Sequence, residues 1–470
     1  MKTYEDLLTA IVADGETESI DVFEPATGNK IGAAPWHGAK ELDAAIARAQ
    51  AAQPAWAALT SEERADYLNK AADAVEESAE ALAELLAREA GKPLNGANAR
   101  FEVGACAAWL RGTAALEVPV DKVVDDGETH AELHYRPIGV VGAITPWNWP
   151  MMIAVWQIAP ALRMGNTVVI KPSENTPFSG LAIAAVMNQA LPEGVLNVVV
   201  GGGEIGSLLT SNPAIGKLMF TGSTATGIKV IESSAPNITR LTMELGGNDA
   251  GIVLADAHPQ EVAEDIFWGA FLNSGQTCAA LKRLYVHDEI YDAVVEELAA
   301  LANSVPMGLS LDEESLLGPV QNQRQWEIVD SLVEAAKEDG ARVVAGGNPD
   351  PDAAGFFYPA TIIADISPDN ALVMTEQFGP ALPVVRYTDL EEAITWANSA
   401  EEGLGASVWA RDKDWAREVA QRIEAGTVWI NSHGGVHPFV PFGGTKRSGY
   451  GVEFGVEGLK AVSLPQVING

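Results

Sequence analysis

Cys278 is one of two cysteines in a chain of 470 residues, and the segment that presents it, Asn273-Ser274-Gly275-Gln276-Thr277-Cys278, is polar and contains glycine. A thiol so placed reads as a reagent, because inert cysteines are usually packed in apolar surroundings. Cys106 is the contrast: it lies in the apolar stretch Val103 to Leu110 and reads as a core thiol. Attack by a thiol needs a base, and the oxyanion it creates needs donors. Glu244, in Met243-Glu244-Leu245-Gly246-Gly247, offers the base on a segment whose glycines permit a tight turn. Asn148 offers an amide that, with the Cys278 backbone N–H, can hold a tetrahedral oxyanion. The plainer alternative is a surface acid, a turn asparagine and a bystander thiol.

Three more polar segments have ligand-binding chemistry. Lys171 and Glu174, in Lys171-Pro172-Ser173-Glu174, present opposite charges that can hold two ribose hydroxyls, with the carboxylate repelling a 2′-phosphate; a surface ion pair is the alternative. Gly222-Ser223-Thr224-Ala225-Thr226-Gly227 can open a helix whose free N–H groups meet a pyrophosphate, or can simply cap it. It is not the GxGxxG fingerprint. Glu376 and Phe378, in Thr375-Glu376-Gln377-Phe378-Gly379-Pro380, can bind a ribose and pack on a flat ring, or form a plain loop with a buried phenylalanine. Pro441 to Gly449 is glycine-rich and basic but lacks the order of a P-loop.

The elements that must position these residues follow an α/β cadence. Residues 40–90 predict two or more helices, with Ala65, Leu68, Ala72 and Val75 at helical spacing and a stop at Gly91. Short strands are expected at Val140 to Thr145, Thr167 to Lys171, Leu196 to Gly201 and Lys217 to Thr221, each followed by a polar loop. A second series is expected at Ala250 to Leu254, Arg283 to Val286, Arg342 to Ala345, Leu382 to Tyr387, Ser407 to Trp409 and Thr427 to Asn431. This predicts two open, mainly parallel α/β domains with a cleft between them. Thr129 to Arg136 predicts a strand of a projecting hairpin, and Leu459 to Val467 an edge strand that invites pairing with another subunit.

Composition narrows the function. With 64 acidic against 30 basic side chains, the net charge of −34 repels phosphate backbones and anionic membranes, so neither nucleic acid nor a membrane is an expected partner. Met1 to Ala10 lacks a secretory pattern and Met151 to Leu162 is too short to span a bilayer, which predicts a soluble, cytoplasmic chain. Two distant cysteines and seven scattered histidines give no metal-ligand spacing, His433 and His437 included, so no metal is expected.

Taken in order, Pro146-Trp147-Asn148-Trp149-Pro150, Lys171-Pro172-Ser173-Glu174, Phe220-Thr221-Gly222-Ser223, Glu244-Leu245-Gly246-Gly247, Gly275-Gln276-Thr277-Cys278, Glu376-Gln377-Phe378-Gly379-Pro380 and Pro441-Phe442-Gly443-Gly444 resemble the NAD(P)-dependent aldehyde dehydrogenases of the non-acylating, hydrolytic type. The resemblance covers essentially the full chain. It implies Cys278 as nucleophile, Glu244 as general base, Asn148 in the oxyanion hole and Glu453 as a proton relay. It implies a cofactor site of Ile144, Thr145, Pro146, Trp147, Lys171, Ser173, Glu174, Gly203, Gly206, Phe220, Thr221, Gly222, Ser223, Leu245, Gly246, Glu376 and Phe378, with NAD favoured over NADP by Glu174.

It further implies a substrate channel of Trp149, Met152, Ile153, Trp156, Thr277, Ala279, Val436 and Phe442, apolar enough for an aromatic or medium-chain aliphatic aldehyde, with His433 and His437 available to a ring hydroxyl. The implied division is a dinucleotide-binding domain of residues 1–117 and 137–246, a catalytic domain of 247–445, and an oligomerisation arm and tail of 118–136 and 446–470 that make a homodimer or homotetramer. Alternatives are an aminoaldehyde or betaine-aldehyde dehydrogenase, a CoA-acylating dehydrogenase, and a noncatalytic binding or structural protein.

Overall fold

The structure, a computed structural model, describes residues 1–13, 15 and 18–470. Helices Ala39–Ala57, Ser61–Glu77, Ala79–Ala90 and Ala99–Ala115 fill the amino-terminal region. The second begins at a reciprocal cap, in which the Thr60 hydroxyl accepts the Glu63 N–H and the Glu63 carboxylate accepts the Thr60 N–H. Its apolar face buries Leu68, Ala72 and Val75, while Ala65 is half-buried. Gly91 ends the third helix at φ 76°, where a side chain would also press on Pro319.

Two sheets carry the rest. The first has six strands in the order Gly449–Tyr450, Arg240–Glu244, Ile215–Thr221, Val140–Ile144, Thr167–Lys171, Leu196–Val198, all parallel except Gly449–Tyr450. The second has seven, in the order Arg342–Ala345, Thr361–Ala364, Ala381–Tyr387, Leu281–His287, Asp249–Val253, Gly405–Trp409, Thr427–Ile430, with only Arg342–Ala345 antiparallel. The expected two parallel-sheet layout is therefore present. Buried aliphatic side chains occupy both faces of the second sheet, as parallel strands require. Among the described residues no helix is long and apolar enough to cross a membrane.

Several expected boundaries shift. The strand from Val140 ends at Ile144 and that from Leu196 at Val198, while Arg240–Glu244 and Thr361–Ala364 are additional strands. The expected projecting hairpin consists of Asp121–Asp125 and His130–Pro137. The tail differs more: Leu459 to Ala461 belongs to helix Gly455–Ala461, and the edge strand is Ser463–Asn469, paired antiparallel with His130–Pro137. Before reaching it, the chain pairs Thr445–Lys446 with Glu402–Gly403 and adds Gly449–Tyr450 to the first sheet. Residues 446–470 thus lie in three places rather than one arm.

One short connection sets the site. Glu244 ends a strand of the first sheet and Asp249 begins one of the second, so the residues between them bring the carboxyl ends of one sheet to the amino ends of the other. Cys278 lies three residues before the start of strand Leu281–His287 at that junction.

Candidate active site

The approach to Cys278 is held in an uncommon backbone conformation. Asn273 and Ser274 both have φ 53° and Gly275 has φ 74°, a left-handed run that non-glycine residues adopt only when surroundings fix them. Here they do. The Asn273 amide donates to the carbonyls of Asn148 (2.9 Å) and Gln276 (3.2 Å), the Ser274 hydroxyl donates to Gly318 (2.9 Å), and Lys282 Nζ donates to the Gly275 carbonyl (2.7 Å). A Cβ on Gly275 would collide with the Gly379 carbonyl, so the position requires glycine.

Asn148 is buried and donates its Nδ2 to the Gln276 carbonyl at 3.0 Å, which ties it to the same loop. That bond uses one of its two amide hydrogens. Next to it, the Trp149 indole donates to Thr277 Oγ1 at 2.9 Å. Asn148 and Cys278 line one cavity of about 200 Å³ with Pro146, Trp147, Thr221, Gly222, Ser223, Leu245, Gly246, Glu376 and Phe378. Burial pushes the half-buried Cys278 thiol up to about 12, assisted by the negative charges of Glu376, Asp249 and Glu244. It is a protonated thiol near neutrality and needs a base.

Glu244 ends strand Arg240–Glu244 opposite Thr221, buried, with both carboxyl oxygens lacking a hydrogen-bond partner among the described residues. Burial pushes its carboxyl well above the usual range, and the charge of Glu453 adds to this. Glu453 is itself buried and raised to about 7 by desolvation, with Lys217 pulling the other way. Lys217, lowered to about 7 by burial, donates to Thr242 Oγ1 at 2.6 Å. Two carboxyls with raised proton affinity thus lie near an amine with lowered proton affinity, a clustering of perturbed groups found at functional sites.

The segments expected to hold a cofactor converge on the carboxyl ends of the first sheet, where ligands of open α/β sheets bind. Ile144 pairs in register with both Lys171 and Phe220, so three of these loops start at one level. Glu376 accepts the Gly247 N–H at 3.2 Å, and burial raises its carboxyl to about 7 against the opposing charge of Lys282. A side chain at Gly246 would displace that carboxylate. Phe378, at φ 46°, packs edge-on to Trp147 at 5.4 Å.

Lys171 and Ser173 flank the partly exposed Glu174. Lys171 Nζ lies 3.7 Å from Glu174 and donates to the Pro172 carbonyl at 3.1 Å. Gly206, in the helix that starts at Gly203, faces the Lys171 stem, which a Cβ added there would meet at 3.8 Å. Thr145 is buried and donates its N–H to the Lys171 carbonyl. Ser223 Oγ accepts the Thr226 N–H at 3.3 Å and so caps helix Thr224–Ser234. Phe220 buries its ring in the hydrophobic core with Val140, Val169 and Leu218, and its tip lies against Gly222 of the cavity lining. The glycine-lined floor, the cavity and the Lys171–Glu174 pair together fit a dinucleotide.

The channel residues Trp149, Met152, Ile153, Trp156, Ala279 and Phe442 are buried in one cluster, with half-buried Val436 and Cys278 packed against it and Thr277 half-buried at its edge. His433 does not join them. Its side chain is fully buried, with Nδ1 2.9 Å from Ser407 Oγ and Nε2 3.5 Å from Asp249, so it serves the second sheet and not a ring hydroxyl. His437 is exposed and accepts the Phe439 N–H. Gln325 and Ile328, on helix Gln323–Glu338, line the cavity with Cys278 yet carry no sequence signal beyond that of an ordinary amphipathic helix. Trp109 and Phe454 were likewise missed; their rings pack against Trp156 at 5.3 and 4.8 Å. Cys106 is wholly buried, as expected of a core thiol.

A model of the "Aldehyde dehydrogenase family" matches residues 11–468. The phenylacetaldehyde dehydrogenase of Pseudomonas fluorescens is 39% identical over 459 residues, covering 94% of this chain and 91% of that protein. The succinate-semialdehyde dehydrogenase [NADP(+)] GabD of Escherichia coli K12 is 40% identical over 449 residues, covering 94% and 92%. The NAD+ complex of an aldehyde dehydrogenase from Bacillus cereus superposes with a TM-score of 0.94 at 34% identity, covering 99% of this chain and 98% of that one.

Proposed function

Because this chain belongs to the aldehyde dehydrogenase family, and so oxidises an aldehyde to its carboxylic acid with a nicotinamide cofactor, we propose that Cys278 is the nucleophile, Asn148 the oxyanion donor and Glu244 the base. The observation that carries this reading is the shared cavity of Cys278 and Asn148, tied through the Gln276 carbonyl, with Glu244 buried at the adjoining strand end. Glu244 takes the thiol proton. The Cys278 sulfur then bonds to the carbonyl carbon, the C–O π bond opens, and the resulting oxyanion is held by Asn148 Nδ2 and the Cys278 N–H. When bound, the oxidised nicotinamide supplies the acceptor for the hydride that leaves this carbon. The carbonyl re-forms as a thioester on Cys278. Glu244 next removes a proton from water; the oxygen bonds to the thioester carbon, the C–S bond breaks and the acid departs.

Hydrolysis is favoured over transfer to CoA because Glu244 supplies a base with raised proton affinity. NAD is favoured over NADP because the Glu174 carboxylate, 3.7 Å from Lys171, would face a 2′-phosphate. Glu376 and Lys171 are assigned to the two riboses, Ser223 to the pyrophosphate and Phe378 to the nicotinamide face. Glu453 with Lys217 would pass the proton from Glu244 outward. The relatives' names cover both an aromatic and a carboxylate-bearing aldehyde; Trp149, Met152 and Trp156 bring no cation to the channel wall, which favours an apolar aromatic or medium-chain aldehyde. The edge strand Ser463–Asn469, with Val467 and Ile468 exposed, is assigned to contact with a second copy.

Rapid-quench mass spectrometry tests the nucleophile. An acyl group should appear on Cys278 during turnover, and Cys278→Ala should abolish oxidation while NAD binding persists. Undiminished turnover by that variant would falsify the assignment.

A further inference from the structure

Gln321 is buried in the connection just before helix Gln323–Glu338 and bonds three distant segments at once. Its side-chain Nε2 donates to the carbonyls of Asn175 (3.1 Å) and Glu89 (3.4 Å), and its Oε1 accepts the Asn322 amide at 3.1 Å. Its backbone N–H donates to Gln276 Oε1 at 2.9 Å. The amide nitrogen thus faces two carbonyls and the amide oxygen faces a donor, which fixes the orientation of the group.

Both ends of this contact reach the site. Asn175 directly follows Glu174, in a loop with little slack. Lys171 is buried at the start of that loop. At its end the fully buried Glu89 carboxylate accepts the N–H groups of Phe178 and Ser179, each at 2.7 Å, and pins helix Pro177–Met187. At the other end, Gln276 lies two residues before Cys278 in the nucleophile loop. Its Nε2 donates to the Asn273 carbonyl at 3.0 Å, and its own carbonyl accepts Asn148 Nδ2 at 3.0 Å. A shift of the Asn175 carbonyl is therefore passed, through the side chain and the N–H of one residue, to the loop that carries the thiol and holds the oxyanion donor.

We propose that Gln321 is a positioning residue that links the ribose loop to the nucleophile loop, so that a nucleotide seated at Lys171 and Glu174 alters the reactivity of the Cys278 thiol across the cleft. This rests on Glu174 holding the adenosine ribose and on Cys278 being the nucleophile. A residue that only supported the fold would change the thiol's reactivity equally with the nucleotide bound or absent. One that joins the two loops makes the nucleotide's effect on the thiol depend on itself, and removing it measures the link.

The probe is AMP, which brings the adenosine ribose and one phosphate but no nicotinamide ring to shield the thiol. Alkylation of Cys278 by iodoacetamide is followed by peptide mass spectrometry, with and without saturating AMP, in the wild type, Gln321→Leu and Gln276→Met. Gln321→Leu removes the donor to Asn175, and Gln276→Met removes the acceptor of the Gln321 N–H while keeping the carbonyl that holds Asn148. In the wild type AMP should change the alkylation rate by about threefold or more, and each variant should bring the ratio within about 1.5-fold of unity. Gln321→Leu should also weaken AMP, measured by competition with NAD, by about fivefold. A wild-type ratio below about threefold, undiminished AMP affinity in Gln321→Leu, or a wild-type ratio that survives in a folded variant overturns the proposal. Either variant decides where the other does not fold. If AMP does not compete with NAD, or if the alkylated enzyme still turns over, the ribose or nucleophile assignment fails together with the link. Competition and inactivation with an unchanged alkylation rate confine the failure to Gln321.

Discussion

Lys92 and Glu102 meet at 2.5 Å with both side chains sealed from solvent, and the pair braces the two segments that form the candidate oxyanion site. Glu102 accepts the N–H groups of Met151 (2.9 Å) and Met152 (3.1 Å) at the start of helix Pro150–Arg163, just past Asn148. Lys92 Nζ lies 3.4 Å from the centre of the Trp149 ring, whose own N–H holds Thr277. Lys92→Met should leave Glu102 charged and unpaired, lowering stability by roughly 3–5 kcal/mol and slowing acylation. Denaturant unfolding and pre-steady-state kinetics read the two effects. A variant as stable as the wild type, with normal acylation, would show that the pair braces nothing.

Glu244 serves both halves of the reaction. Glu244→Gln keeps the volume but loses the base, so thiol attack and thioester hydrolysis should both slow, with a steady-state rate reduced by about 10²–10⁴. A wild-type steady-state rate would assign the base elsewhere.

Glu453 gives a stability signature. Its carboxyl is raised to about 7 by burial, against 4.5 in the open chain. The folded state therefore holds a proton that the unfolded state has released, and the stability this contributes is present below about 4.5 and lost as pH rises toward 7. Glu453→Gln should add on the order of 1–3 kcal/mol at pH 8 and little at pH 5, seen as the pH dependence of Tm. Deacylation in the wild type should have its acid limb well above the usual carboxylate range, because Glu244, raised by burial and further by Glu453, must ionise to act. Equal gains at both pH values would contradict this titration.

The residues legible in the sequence were those whose role is written locally. Glycines, prolines and polar residues at strand ends marked the loops at Asn148, Lys171, Glu244 and Cys278. Arg240–Glu244 was harder, since Arg240 and Thr242 interrupt its apolar run, and Lys217 shelters beside Thr242 only once the strands pair. His433 was misread because a histidine in a glycine-rich loop looks available, while its partners Ser407 and Asp249 lie on distant strands. Nothing local in the sequence marks Trp109 or Phe454. Only the packing of two helices and the carboxyl-terminal segment brings them to Trp156.

Glu174 tests cofactor choice. Its side chain is half exposed whereas Lys171 is buried, so the carboxylate is the member of the pair that meets solvent and salt. A 2′-phosphate approaching to about 4 Å would meet a repulsion on the order of 1–4 kcal/mol, and Glu174→Gln should remove it. The kcat/KM preference for NAD over NADP should then narrow by roughly tenfold or more, chiefly through the KM for NADP. Raising ionic strength should narrow the wild-type preference in the same direction, because an exposed charge is screened, and should do little to the variant. Lys171→Met should weaken both cofactors, since it removes a hydroxyl donor and no repulsion. If Glu174→Gln leaves the ratio unchanged at low salt, the carboxylate does not face the 2′ position and the discrimination must come from the shape of the loop.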